Sequence, residues 1–197
     1  MKVIGFIFGS LIFSYSFAAL PPQFSDCLSA ESAPMSTYDL KAIAAVAKVN
    51  YCQNQSGLTN KPETLALLKS NNVNLGIFVS KTTYSREDLM DLAQANNYVL
   101  YVDSNRIGKD YLVGLAKAGV QIVVMSATAY LSKSDLLDLA KARPFIYNVN
   151  SQVIKEDVKD LVNAGVTVVL RAGQYGLSKE DVVEVAKLNP SLVTIAP

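Results

Sequence analysis

A chain of 197 residues with 18 Lys and Arg against 17 Asp and Glu, and no histidine, is close to neutral. With no basic run it is poorly suited to nucleic acid or to an anionic membrane, both of which are held through Lys and Arg that neutralise phosphates. With no imidazole it cannot build a Ser-His-Asp or Cys-His arrangement or a histidine zinc site, and neither Gly-x-x-x-x-Gly-Lys nor Gly-x-Gly-x-x-Gly occurs.

Residues 1–18 read as a secretory signal. Lys2 is a minimal basic start, Val3 to Phe17 is almost wholly apolar, and Ser16-Phe17-Ala18 offers small residues at the cleavage positions. The apolar run is shorter than the roughly 20 residues a membrane span needs, so no stable anchor is expected. The expected location is secreted or periplasmic. Cleavage would also remove Lys2 and leave 17 basic against 17 acidic side chains.

Residues 19–35, with Pro21-Pro22, read as an irregular lead-in, and 36–197 as one α/β repeat domain. The two cysteines, Cys27 and Cys52, are expected to pair in an exported chain and to tie the lead-in to the first repeat, a link of about 3 kcal/mol in the chain-entropy picture. Asn54-Gln55-Ser56 fits a glycosylation acceptor.

From Ser36 onward one phrase recurs. Taking the first apolar position of each helix gives Leu40, Leu65, Leu89, Leu112, Leu136, Val158 and Val182, a period of about 23 to 24 residues that signals stacked helix-strand units. Ser36, Ser85, Ser132 and Ser178 each precede Asp by three positions, which marks helix starts closed by capping boxes. Gly119 and Gly165, with Asn72, Asn96 and Asn189, are expected to close helix ends in the left-handed conformation.

After each helix comes a run rich in Val, Ile and Tyr: 49–53, 74–79, 98–103, 121–126, 145–150, 167–172 and 191–196. Strands joined by helices make a parallel sheet, and right-handed crossovers repeated without reversal place every helix on one side. Alternation puts Leu75, Val99, Tyr101, Ile146, Asn148 and Val168 on one face, and Gly76, Leu100, Val102, Met125, Tyr147 and Arg171 on the other. Both faces are largely apolar, yet the helices can cover only one. The expected solution is an open curved solenoid whose second face binds something, with a small closed β/α barrel as the alternative. The open form resembles leucine-rich-repeat proteins in architecture alone, since their Leu-x-x-Leu-x-Leu-x-x-Asn consensus is absent.

Ligands of parallel sheets bind beyond the carboxyl ends of the strands. Those ends carry Ser80, Lys81, Asp103, Ser104, Asn105, Arg106, Asn148, Asn150, Arg171 and Gln174, with Tyr130 and Tyr175 in the same loops. Asp103, Asn148, Asn150, Arg171, Tyr130, Tyr175 and Gln174 form the candidate ligand set, suited by its amides, hydroxyls and tyrosines to a glycan or peptide. No catalytic residue, metal or cofactor is assigned. The first expectation is thus an exported non-enzymatic repeat protein that binds a protein partner or polar ligand, with homo-oligomers allowed for. One alternative is a small barrel glycan hydrolase or lyase using Asp103. Another is self-assembly through the C-terminal edge strand.

Overall fold

The computed structural model describes residues 20–29, 35–54, 60–70 and 72–197. The expected signal, and Gln55 and Ser56 of the glycosylation acceptor, lie outside the described residues. Eight helices and seven strands are described. They run α1 (Phe24–Ser29), α2 (Thr37–Ala44), β1 (Val49–Gln53), α3 (Lys61–Leu68), β2 (Val73–Phe78), α4 (Arg86–Ala95), β3 (Val99–Val102) and α5 (Lys109–Lys117). There follow β4 (Gln121–Met125), α6 (Lys133–Ala142), β5 (Ile146–Val149), α7 (Lys155–Asn163), β6 (Thr167–Arg171), α8 (Lys179–Leu188) and β7 (Val193–Ala196). The strands lie in sequence order in one sheet with every pair parallel, so β1 and β7 are its edges and the repeat architecture is that of an open sheet.

The helices begin where the caps dictate. Ser36, Ser85, Ser132 and Ser178 accept the amide of the Asp three residues on, and at the last three the Asp carboxylate also accepts the serine amide. The fourth helical position is then a core position: Leu40, Leu89, Leu112, Leu136, Val158 and Val182 are all buried there. In α3 that position is Thr64, capped from Asn60, and not Leu65, which is half-buried one step on. Thr64 belongs in the core because its hydroxyl accepts from Gln53 Nε2 at 2.9 Å and meets the Tyr84 hydroxyl at 2.5 Å.

Helix ends divide into two kinds. Gly119 and Gly165 close α5 and α7 with φ of 105° and 85°, as their lack of a Cβ allows. Asn96 and Asn189 do not adopt that conformation: their φ values of −171° and −158° are extended. Asn72 and Asn96 act through their side chains, whose amides donate to Ala44 O and Leu68 O at the end of the preceding helix, each at 2.8 Å. The asparagines therefore tie neighbouring repeats together.

The pairing register corrects three strands, β3, β5 and β7; in β7 it is Val193, not Leu192, that faces Val168. Gly76 faces Val99 and Phe78 faces Tyr101; Met125 faces Asn148, which faces Val169. Val99, Tyr101, Ile146 and Asn148 thus share a face with Gly76, Phe78, Met125 and Arg171, while Leu100, Val102, Tyr147 and Val149 point to the helices. A one-residue slip moves a whole strand to the other face, and two apolar faces leave alternation nothing to read.

The second face is covered in part by α1, inside what reads as an irregular lead-in. Phe24 and Cys27 are buried in a cluster with Cys52, Phe78, Val99, Tyr101, Val123, Ile146 and Val169. Cys27 is bonded to Cys52. Gln23 Nε2 donates to Leu75 O at 3.2 Å on β2, and the Arg171 guanidinium on β6 lies 5.9 Å from the Phe24 ring centroid. Strands of a flat sheet at about 4.8 Å spacing would hold β1 and β6 about 24 Å apart, whereas six helical residues span about 9 Å. The sheet is therefore curved, with α1 on its concave side.

Candidate functional site at the carboxyl ends of the strands

Asp103 follows β3 directly and turns toward the loop after β2. One carboxylate oxygen accepts the Ser80 amide at 2.8 Å and the other accepts the Ser80 hydroxyl. The β2 loop is held from its other side by Arg106, whose Nη1 donates to Val79 O at 2.8 Å and also to Thr82 O. Ser80, Lys81, Asn105 and Arg106 are exposed and Asp103 is half-exposed. Beside it the Ser104 hydroxyl is buried with no hydrogen-bond partner. Two adjacent strand ends thus gather one fixed carboxylate, two cations and two hydroxyls.

Asn150 repeats the arrangement without the charge. Its side-chain oxygen accepts the Ala127 backbone amide at 3.0 Å and the Ser126 hydroxyl at 3.2 Å, while its backbone N–H donates to that same hydroxyl at 3.0 Å. The residue after one strand fixes the loop after the strand before it, so the positions of Asp103 and Asn150 are those of loop ties. What separates them is ionisation: only Asp103 can take up a proton.

Asn148 and Arg171 form a second group on the concave face. Arg171 Nε donates to Asn148 Oδ1 at 3.0 Å, its Nη1 donates to Pro197 O at 3.0 Å, and Asn148 Nδ2 meets Met125 Sδ at 3.5 Å. Asn148 is 1% exposed, so its polar groups are committed to these neighbours. Asp103 and Arg171 are held by different partners.

Tyr130, Tyr175 and Gln174 sit in the loops after β4 and β6. Tyr130 is 78% exposed and has a left-handed φ of 52°, the one such non-glycine residue among those described. Tyr175 packs its ring on the helix-side core, and its carbonyl accepts the Val153 amide at 3.2 Å. Gln174 is exposed. The seven candidates therefore fall into separate places: Asp103 over β2 and β3, Asn150 over β4 and β5, Asn148 with Arg171 on the concave face, and the remaining three in outer loops. Met125 and Arg171 are half-buried on the concave face and not the open surface a binding face would present, while Tyr147 lies on the helix side.

A buried polar cluster escaped the sequence reading. Gln53, Thr64 and Tyr84 are hydrogen-bonded between β1, α3 and the start of α4, and the Tyr51 hydroxyl is buried without a hydrogen-bond partner. Burial, then the neighbouring Tyr84, raises the Tyr51 pKa. A threonine at a core position was the available signal. Among the described residues no group of three His, Cys, Asp or Glu could hold a metal ion.

No family model matches the chain, and no curated protein does. Solved structures do. The YdjI aldolase from Escherichia coli K12 is 16% identical, with 84% of this chain and 71% of that one covered and a TM-score of 0.39. Oxaloacetate acetylhydrolase is 11% identical, with 82% and 71% covered and a TM-score of 0.42. Mandelate oxidase with (S)-2-phenylpropionate is 13% identical, with 82% and 62% covered and a TM-score of 0.40. These are enzymes, and the expectation of a non-enzymatic binding protein is corrected on that finding. At such scores the likeness carries no reaction, substrate or residue role to this chain.

Proposed function

We propose that the chain cleaves an acidic glycan by elimination at the carboxyl ends of β2 and β3, with Asp103 as the base. The observation that carries the reading is the fixed Asp103 carboxylate, the one acid on the loops that follow β2 to β6. Hydrolysis of a glycoside ordinarily uses two carboxyl groups flanking the bond, and the rim offers one. Elimination needs a single base, provided the carbon it attacks is acidified by an adjacent carboxylate, as in a uronic acid.

Each residue then has a task. Lys81 and Arg106 supply positive charge for the substrate carboxylate. Asp103 takes the proton from the carbon next to that carboxylate; the electron pair forms a carbon–carbon double bond as the glycosidic C–O bond breaks. The leaving oxygen takes a proton from water or from the Ser80 hydroxyl, which is reprotonated by solvent. Both Asp103 oxygens are engaged by Ser80, but a carboxylate has about four lone-pair sites, so accepting directions remain.

The test is turnover of a panel of uronic-acid oligosaccharides, followed by ultraviolet absorbance of the conjugated double bond. Asp103→Asn should abolish it, while Ser80→Ala, which leaves the base in place but loosens it, should lower it. Turnover that survives in Asp103→Asn would refute the assignment of the base, and cleavage without the double bond would refute elimination.

A further inference from the structure

Neighbouring helices meet by a fixed rule. The basic residue at the first helical position reaches acids at the third and sixth positions of the next helix. Lys61 pairs with Asp88 and Asp91, Lys133 with Asp157 and Asp160, and Lys155 with Asp181 and Glu184. Lys109 meets Asp138 at the sixth position. Where α5 has Tyr111 at its third position, Arg86 lies over that ring instead. The fifth position faces the same way: Leu65, Met90, Val113 and Leu137 are half-buried against the core, and a Cβ at Gly114, sixth in α5, would meet Met90 Cε at 3.5 Å.

At the C-terminal end of the stack this pattern breaks off. Lys179 holds the first position of α8 and Val183 the fifth, and both are exposed, Val183 to 44%. The N-terminal end offers the complement. Asp39 and Ala42 are the third and sixth residues of α2, an acid and a small residue like Gly114, and both are exposed. Apolar side chains are exposed at each end as well: Leu188 and Ile195 beside α8 and β7, Ile43 and Val46 beside α2.

From this we infer that the chain binds a second copy of itself head to tail, α8 and β7 of one copy against α2 and β1 of the next. Lys179 meets Asp39 and Val183 packs on Ala42, so the contact repeats the one between neighbouring helices inside each copy. Edges β7 and β1 run parallel across the junction and continue the sheet. Such a contact joins two different patches, so its geometry permits a closed ring or an open stack.

The experiment is the mass of the full chain by light scattering over a concentration series. The mass should rise with concentration toward multiples of 21.3 kDa. Lys179→Asp and Asp39→Lys should each weaken assembly by about tenfold, since each turns an attraction into a repulsion of similar size. The double reversal should restore it, although it carries the same damage to the α2 cap as Asp39→Lys alone. A mass that stays monomeric at every concentration overturns the inference. So does assembly indifferent to Asp39→Lys, which would indicate β7 pairing with β7, or a double variant that fails to recover.

Discussion

The covalent tie between α1 and β1 stabilises the fold by restricting the unfolded chain. Replacing Cys27 and Cys52 together by alanine releases a closure spanning 25 residues. In the chain-entropy picture that closure contributes about 3.5 kcal/mol, through the unfolded state. For a chain of this size about 2 to 4 °C accompanies each kcal/mol, so the midpoint should fall by about 7 to 14 °C. Local order should fall too. Without the bond α1 is held by Phe24 on the concave face, by Gln23 on Leu75 O and by the weaker Asn54 contact with Cys27 O at 3.4 Å. Urea unfolding gives the global term, and hydrogen exchange at the concave-face amides gives the local one. An unchanged midpoint with unchanged exchange at Val99 and Val123 would refute the role given to α1.

Gly76→Ala should destabilise by about 1 to 3 kcal/mol, since its Cβ would lie 2.7 Å from Cys27 Sγ and 3.0 Å from Tyr101 Cε2, both tied in place; urea midpoints measure it. Thr64→Val keeps the shape but deletes the bonds to Gln53 and Tyr84 and should cost about 1 to 3 kcal/mol by the same assay. Hydrogen bonds from Lys61 to Asp88 and from Ser178 to Asp181 hold those carboxyls below their ordinary range. Their stabilisation is present above the unfolded carboxylate value of about 4 and is lost as pH falls through the folded value, so acid unfolding should set in below that point. Burial raises the Tyr98 pKa, so its share of stability is intact below about 10 and is lost as pH rises beyond it; Tyr98→Phe should move the alkaline midpoint upward.

The helix-strand repeat is legible because it is written in short-range chemistry. A serine with Asp three residues on fixes where a helix starts, and the core position follows four residues after the cap. Face assignment failed at β3, β5 and β7 for the opposite reason: Val99-Leu100-Tyr101-Val102 is apolar throughout, and only the pairing partners decide which way each residue points. In the sequence Leu65 stands out where Thr64 does not, because a buried threonine looks like a surface residue until Gln53 and Tyr84 are beside it. At six residues α1 is too short to display a helical period, and its place on the concave face depends on Cys52, 25 positions away. Of the rim, Asp103 and its strand end could be read directly. Its bonds to Ser80 could not, since they join neighbouring repeats.

The proposed active site lies on the rim over β2 and β3, while α1 covers part of the apolar concave face. The most direct test is a map of amide chemical-shift changes on titrating the chain with uronic-acid oligosaccharides. Shifts concentrated at Ser80, Lys81, Asp103 and Arg106, and kept in Asp103→Asn, which leaves the Lys81 and Arg106 charges in place but cannot take the proton, are the expected result. Shifts centred on Val99, Val123 and Val169 would place the ligand on the concave face and contradict it.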